Sequence, residues 1–429
     1  MRAIDTPVLS RHPSAHALGV AAIAFRFVHS ADLHLDSPLR SMALRNPELA
    51  ALIGTATRAA LSRIVDLCLE EEVHALLIGG DLYDRAQTSM KTARALAEQL
   101  QRLNAANIPV LMIRGNHDAA ARITEGLALP GNVHVFGARP GTRRLEGGGV
   151  AVAVHGVSFP ARGAPRAPLH RFPAPIAGAI NIGLLHTSLG GAPGHDPYAP
   201  VSLPELAAVG YDFWALGHLH ARQHHPGPPV VLMPGMPQGR DIGESGPKSA
   251  TLVRVTSDAR FTLSDHPTAL AEFARHEVDV SGAEDWVALA TLLADALHAA
   301  RAQATADHLV LRLRLIGGTP IAWAIRRDAD ALLEVAARRA PANTWIEGLS
   351  PACTPPATTD GGALDELARL LADPPAGLPA QAEALWDDIL AALPAELRTD
   401  FPADPEAAAA LRATLMADGI ADVLARLHE

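Results

Sequence analysis

Five short polar motifs, each directly after a short apolar run, constrain this chain more than any other feature of its sequence. The first lies in SADLHLDSP, residues 30–38, where Asp32 and His34 stand two positions apart after the run FRFVH. Residues two apart on a strand share a face, so both side chains are expected to point at the same spot. One such pair can equally cap a turn, so its meaning depends on what the rest of the chain brings to the same place.

The other four motifs also place metal-type side chains after predicted strands. Asp81 follows ALLIGG, Asn116 follows VLMIR in GNHD, His186 lies at the end of INIGLLHT, and His218 and His220 end FWALGHLH. In an open α/β sheet the carboxyl ends of the strands share one edge, where binding crevices form. The five motifs therefore predict seven ligands that converge on one site. Glycines precede several of them, where the chain must turn sharply off a strand.

The seven ligands divide naturally between two ions. We assign Asp32, His34 and His220 to one ion, Asn116, His186 and His218 to the other, and Asp81 to both as a bridge. Nitrogen and oxygen ligands without sulfur suit manganese, iron or zinc better than magnesium or calcium. We expect manganese, with iron or zinc as alternatives. Two such ions about 4 Å apart form a clamp for phosphoryl chemistry.

Composition limits the class of protein further. A chain of 429 residues predicts two to three domains. Its net charge of -10 argues against binding nucleic acid through bulk positive charge, although a metal centre with a local basic strip can bind phosphates on an acidic protein. Cys68 and Cys353 lie far apart and predict neither a disulfide nor a zinc site, which fits a reducing cytoplasm. No apolar run is long enough to span a bilayer.

The pattern along the chain predicts an α/β protein with several parts. We expect a poorly ordered extension over residues 1–22, with an export signal as the minor alternative, because ALGVAAIAF continues straight into the first strand. Alternating strands and amphipathic helices predict a layered domain over 23–265, with a second sheet packed on the first. A compact α+β unit is expected over 266–349, a linker over 350–362, and a helical C-terminal region over 363–429.

The ordered set of D-x-H, GDLYD, GNHD, LLHT and GHLH resembles the calcineurin-like metallophosphoesterase superfamily. The resemblance implies a two-sheet metallophosphoesterase sandwich flanked by helices. It also implies that His117 protonates the leaving oxygen and that Asp84 orients His117; a paired carboxylate favours the imidazolium that can donate a proton. Arg85 lies where related phosphoesterases often place a phosphate-binding arginine, although a solvated loop arginine explains it about equally well.

Two segments are similar to one branch of that superfamily, the SbcD and YhaO type of DNA repair exonuclease. These are FRFVHSADLHLDSPL and MPGMPQGRDIGESGPKSATLV, the second over residues 233–253. This resemblance implies DNA as substrate, the 266–349 unit as a capping domain, and an SMC-like coiled-coil ATPase that docks on the C-terminal helices. A homodimer is a further expectation. Residues expected along a nucleic-acid groove are Gln238, Arg240 and Lys248. The arginines expected to make the capping unit locally basic are Arg312, Arg314, Arg326 and Arg327, although a solvated basic face explains these arginines nearly as well.

Two other functions are compatible with these residues. A small-molecule phosphodiesterase or phosphatase, acting on cyclic nucleotides or phosphomonoesters, would use the same metals. A scaffold that keeps the fold without catalysis is disfavoured, because lost catalysis usually shows as lost ligands, and all seven are present together with His117.

Overall fold

The structure is a computed structural model that describes residues 23–37, 47–83, 90–118, 129–159, 164, 166–190, 198–355, 363–372, 378–393, 401–402 and 404–428. It divides into two compact units. The first comprises the described residues within 23–35, 61–237 and 249–266, and the second comprises the described residues within 36–60, 238–248 and 267–428. The predicted extension over 1–22 lies outside the described residues.

The first unit contains a six-stranded sheet that is parallel in its centre. Its strands are β1 (Ile23–Ser30), β2 (Ala75–Ile78), β3 (Val110–Met112), β4 (Val133–Val135), β11 (Ser249–Thr256) and β12 (Phe261–Pro267), in the order β12-β11-β1-β2-β3-β4. β1 to β4 run parallel, and β11 pairs with β1 in the antiparallel sense. The helices α1 (Pro47–Glu70) and α2 (Met90–Ala105) make the crossovers that parallel strands require.

A second six-stranded sheet supplies the other layer. Its strands are β5 (Gly141–Gly147), β6 (Val150–Gly156), β7 (Ala179–His186), β8 (Phe213–Gly217), β9 (Gln223–His225) and β10 (Val230–Met233), in the order β5-β6-β7-β8-β10-β9. β6, β7, β8 and β10 are parallel, whereas β5 and β9 form antiparallel edges. The short helix α3 (Leu203–Ala208) precedes β8.

The two sheets pack face to face through a shared apolar core. Phe27 of β1 meets Phe213 of β8 edge to face, with ring centroids 5.5 Å apart. The next residue, Val28, faces the other way, into a second core with Leu61 and Ile64 of α1. A strand that is buried on both faces has a nearly continuous apolar sequence, as β1 does. The predicted two-sheet sandwich flanked by helices is confirmed.

The second unit is built on three parallel strands. They are β13 (Ala271–Asp279), β14 (His308–Ile316) and β15 (Thr344–Pro351), connected by α4 (Trp286–Gln303), α5 (Ala322–Arg327) and α6 (Ala329–Arg339). Residues 350 and 351, which we placed in a linker, belong to β15. The C-terminal region is helical, with α7 (Ala363–Ala372), α8 (Leu378–Ala392) and α9 (Pro405–Leu427). None of the described helices has the length and apolarity that crossing a membrane needs.

Candidate metal centre

The loops after β1, β2 and β8 carry ligands in an unusual backbone conformation. β1 ends at Ser30, so Asp32 and His34 lie beyond the strand, with φ of 54° and 43°. Our premise that two residues on one strand face would project together was therefore wrong, although their side chains do converge. Asp81 and His218 also have positive φ, of 51° and 110°. Such strain is costly for residues other than glycine and is typical of functional sites.

Backbone hydrogen bonds hold these strained loops side by side. The amide of Asp32 donates to the carbonyl of Gly80 at 3.0 Å, and the amide of His34 donates to the carbonyl of Asp81 at 3.1 Å. The amide of His218 donates to both carboxylate oxygens of Asp32, at 3.1 and 3.0 Å. These bonds connect the ligand loops of both sheets, so the site is assembled from the sandwich as a whole.

The side chains meet around the carboxylate of Asp81. Its Oδ2 lies 3.9 Å from Nε2 of His34 and 3.4 Å from Nε2 of His186. Two clusters have ligand atoms within 4.8 Å of one another: Asp32 with His34 and His220, and Asp32 with Asp81 and His186. The first cluster is the set predicted for one ion. Asp32 therefore belongs to both clusters. The carboxylate of Asp81 lies between His34 of the first cluster and His186 of the second.

The arrangement of nitrogen and oxygen atoms fits a cation. Nδ1 of His186 lies 2.8 Å from the carbonyl oxygen of Gly79, which can only accept, so Nδ1 carries the proton. Nε2 of His186 then faces Oδ1 of Asn116 at 3.0 Å, so in the neutral tautomer two electron-pair donors face each other. His34 and His220 likewise approach through their Nε2 atoms at 3.1 Å. A divalent ion between such atoms satisfies both.

Gly115 leaves the space that these ligands need. A methyl group on its Cα would lie 2.2 Å from Oδ1 of Asp81 and 2.7 Å from Cε1 of His186. Both positions are closer than non-bonded atoms allow. The glycine before Asn116 is therefore required by the close approach of two ligands.

Charges in the site perturb one another strongly. Burial disfavours a charged Asp81, but His186, with His34 and His117, holds the pKa of that carboxyl below its usual range. Burial also lowers the pKa of His186, yet Asp81 and Asp32 raise it to about 9. The buried carboxyl of Asp32 has its pKa raised to about 6, chiefly by burial. In the absence of a metal the site therefore retains protons that a cation would displace.

The competition between protons and a metal ion predicts two opposite pH trends: the stability of the metal-free protein should fall with rising pH, and the additional stability that a metal ion gives should increase. The pKa of His186 is about 9 in the folded protein against an ordinary 6.5, so its stabilising effect is complete below pH 6.5 and is lost as the pH rises through 9. We expect the melting temperature of the metal-free protein to fall over that range. The stabilisation by a divalent cation should grow by several degrees, since fewer protons compete. Thermal melts in EDTA and in excess manganese at pH 6, 7.5 and 9 measure the melting temperature of the metal-free protein and its increase with metal. The same increase at all three pH values would contradict this prediction.

Asp118 is a functional residue that our sequence reasoning missed. It is buried, and its carboxylate accepts hydrogen bonds from the amides of Leu82, Tyr83 and Gly115 at 3.0 to 3.1 Å. It thus ties the loop that carries Asp81 to the loop that carries Asn116. Burial, followed by the charge of Asp81, raises the pKa of Asp118 to about 6. Its place directly after His117 in GNHD was the available signal.

Tyr198 is a second residue that the sequence did not reveal. Its ring stacks on His218 with centroids 5.6 Å apart and meets His186 edge to face at the same distance. The loop sequence around it carries no recognisable pattern. Tyr198 packs against both imidazoles and limits their rotation.

Comparison with known proteins identifies the family. The family model described as "Calcineurin-like phosphoesterase" matches residues 25–222. The family model described as "Metallophosphoesterase YhaO, middle domain" matches residues 273–354. A protein from Bacillus subtilis (strain 168), "Uncharacterized metallophosphoesterase YhaO", is 35% identical over 315 residues, which cover 72% of this chain and 75% of that protein. The chain belongs to the YhaO family of calcineurin-like metallophosphoesterases. It is a hydrolase of phosphoester bonds, and its fold implies two divalent metal ions.

Two further relatives are more distant. "DNA double-strand break repair protein Mre11" from Methanopyrus kandleri is 27% identical over 211 residues, which cover 46% of this chain and 44% of that protein. A dimetal phosphatase from Danio rerio has a solved structure with a TM-score of 0.39 and 12% identity, covering 58% of this chain and 98% of its own.

His117 of this metallophosphoesterase lies beside the candidate ligands. Its ring meets that of His34 edge to face with centroids 4.9 Å apart, and its amide donates to Oδ1 of Asp81 at 2.9 Å. The imidazole is half-buried. Asp84 and Arg85 lie outside the described residues, so their roles stay predictions.

The three predicted groove residues of this metallophosphoesterase have partners within the second unit. Gln238 is buried, and its amide bonds the backbone of Gly239, Leu270 and Ala271. Arg240 forms a multiple ion pair with Glu244. Lys248 donates to the carbonyl of Ser245, and burial lowers its pKa. These contacts give all three a structural role, and substrate binding by them stays a prediction.

Proposed function

We propose that this metallophosphoesterase hydrolyses the phosphodiester bonds of DNA as an exonuclease of the SbcD and YhaO type. The observation that carries the proposal is the pair of ligand clusters sharing Asp32, with Asp81 between their histidines and His117 at their side. That arrangement suits a phosphate between two cations with a proton donor within reach. The Mre11 relative, named as a DNA repair protein, supports DNA as the substrate class.

The chain's own residues would divide the work as follows. The residues that would hold two divalent ions, which we infer to be manganese, are Asp32, His34, Asp81, Asn116, His186, His218 and His220. When bound, such ions supply positive charge for the phosphate oxygens and acidify the attacking water. The attacking water gives up one proton to solvent and its oxygen forms a new bond to phosphorus, while the bond to the leaving oxygen breaks and its electron pair stays on that oxygen; His117 is reprotonated from solvent after it has acted. His117 donates a proton to the leaving oxygen, so no free alkoxide has to form. Asp118 and Tyr198 keep the ligand loops and imidazoles in place.

A partner is part of the same proposal. The helices α8 and α9 expose apolar side chains, among them Leu385, Ile389, Leu415 and Val423. Exposed apolar side chains on helices are suited to burial against another helix. An SMC-like coiled-coil ATPase would supply such a helix.

One observation favours the small-molecule alternative. The arginines expected to make the capping unit basic are paired with carboxylates: Arg312 with Glu347, Arg314 with Glu277, Arg326 with Asp418 and Asp422, and Arg327 with Asp328. Paired charges offer little net attraction for a polyanion. A cyclic nucleotide or phosphomonoester would not need that surface.

A panel of substrates tests the proposal. The purified protein with manganese is incubated with end-labelled duplex DNA, single-stranded DNA, a cyclic nucleotide and a phosphomonoester, with EDTA as the control. We expect nucleotides to be released progressively from a DNA end, alone or together with the ATPase. Hydrolysis of the small esters without any cleavage of DNA would establish the alternative instead.

A further inference from the structure

Arg139, Arg143 and Arg144 form a basic edge on the first unit, which we call the arginine rim. All three are exposed, and within the described residues none of their guanidinium groups holds an ion pair or hydrogen bond. Other arginines of the same unit are neutralised, for example Arg222 by Asp265. The rim is therefore a local excess of positive charge on a chain whose net charge is -10.

Strand register places Arg139 at the edge of the sandwich that carries the metal centre, whereas Arg143 and Arg144 lie farther along β5, opposite Val154 and Ala153 of β6. Gly141 of β5 pairs with Gly156 of β6, and Gly156 pairs with Leu184 of β7, two residues before His186. Two strand spacings amount to about 10 Å and two residues along a strand to about 7 Å. Because β5 is antiparallel to β6, the chain before Gly141 lies towards the carboxyl ends of β6 and β7. Arg139 is thus on the order of 10–15 Å from His186.

A chain of hydrogen bonds joins this segment to the ligand loop after β3. The amide of Arg114, two residues before Asn116, donates to Oγ of Ser158 at 2.8 Å, and that hydroxyl donates to the carbonyl of Phe136 at 2.5 Å. The amide of Ser158 donates to the carbonyl of Gly137 at 3.0 Å. The rim therefore starts from a backbone position fixed to both sheets and to the candidate active site.

The positive charge of the rim acts on its surroundings. His134 of β4 has a lowered pKa, through burial and then through the charge of Arg143. Successive residues of a strand point to opposite faces, so Arg143 and Arg144 present charge on both sides of the edge strand.

We propose that the arginine rim binds the phosphate backbone of DNA whose terminal phosphodiester lies at the metal centre. The proposal rests on the proposed function and adds to it the surface that holds the substrate. Arg143 and Arg144 are level with Ile182 and Asn181 of β7, so by the same spacings they lie about 16–20 Å from His186. The rim thus spans about 10–20 Å from the metal centre, which corresponds to about three to six nucleotides of a strand, at 3.4 Å each. The rim would contact the strand a few nucleotides from the cleaved bond. Charged residues on an edge strand also discourage pairing between sheets, and this simpler role is the alternative outcome.

The test replaces the charged arginine side chains of the rim by neutral glutamine side chains. The triple variant R139Q/R143Q/R144Q is compared with R102Q/R171Q/R260Q, which has the same net charge but alters arginines outside the rim. Binding to a labelled duplex is measured by fluorescence anisotropy over a series of salt concentrations, with EDTA present so that DNA is not cut. Hydrolysis of bis(4-nitrophenyl) phosphate with manganese is measured in parallel, and thermal melts check the fold of both variants.

Comparison of the two variants separates the effect of where the arginines lie from the effect of the protein's net charge. The rim variant should bind DNA at least about 10-fold more weakly near 0.1 M salt, and the slope of log K against log salt should become shallower by about 2 to 3, at roughly 0.9 for each lost phosphate contact. The control variant should keep the slope of the unmodified protein. Both should hydrolyse the small diester within about two-fold of the normal rate, because no rim residue belongs to the metal clusters.

Each other outcome overturns a specific claim. If the rim and control variants bind DNA alike, the rim does not hold DNA and edge protection explains it. If the rim variant loses hydrolysis of the small diester as well, its residues act on the site and not on the substrate strand. If the rim variant weakens DNA binding but the unmodified protein hydrolyses no ester, the proposed function fails while the binding surface stands.

Discussion

Replacement of Asp81 by Asn is expected to reduce phosphodiester hydrolysis by at least about 1,000-fold and to lower the metal content of the protein. Oδ2 of Asp81 faces Nε2 of both His34 and His186, at 3.9 and 3.4 Å. An amide NH2 in that place removes the negative charge that both cations would share. Oδ1, which accepts the amide of His117, is retained in Asn, so the surrounding loop should keep its conformation.

Metal content per chain and the rate of diester hydrolysis, measured on the same preparation, test this expectation. Asp66→Asn is a suitable control, because that carboxylate pairs with Arg102 on the surface and lies outside the ligand clusters. A fully metal-loaded Asp81→Asn protein with normal activity would show that the bridge is elsewhere.

Replacement of His117 by Gln is expected to lower turnover by about 100-fold or more while both metals stay bound. A general acid contributes on the order of 10²–10⁴ to a rate, and Gln cannot supply the proton. The loss should depend on the leaving group. It should be large for an alkoxide such as a sugar oxygen and small for 4-nitrophenolate, which leaves without protonation.

The comparison of leaving groups distinguishes proton donation from a structural role, which would slow both substrates alike. His134→Gln provides the control, since that histidine lies on β4 and outside the ligand clusters. A collapse of metal occupancy in His117→Gln would instead place His117 among the ligands.

The residue types and their order were sufficient to predict the chemistry of the site. Five polar motifs after five apolar runs predicted that these candidate ligands converge, because the carboxyl ends of parallel strands meet at one edge whatever the details of packing. The double-sided burial of β1 and the two sheets follow from the same runs. The amphipathic periodicity also predicted helices between the strands, as found for α1 and α2.

Other features depend on long-range contacts that local patterns do not encode. The left-handed backbone of Asp32 and His34 exists because amide hydrogen bonds to Gly80 and Asp81 hold it there. Asp118 acquires its role only when the loops after β2 and β3 come together around its carboxylate. Whether an arginine is available to a phosphate depends on whether folding brings it a carboxylate. In the sequence the arginines of the capping unit and those of β5 cannot be told apart. In the tertiary structure Arg314 forms an ion pair with Glu277, whereas Arg143 is exposed and has no ion pair among the described residues.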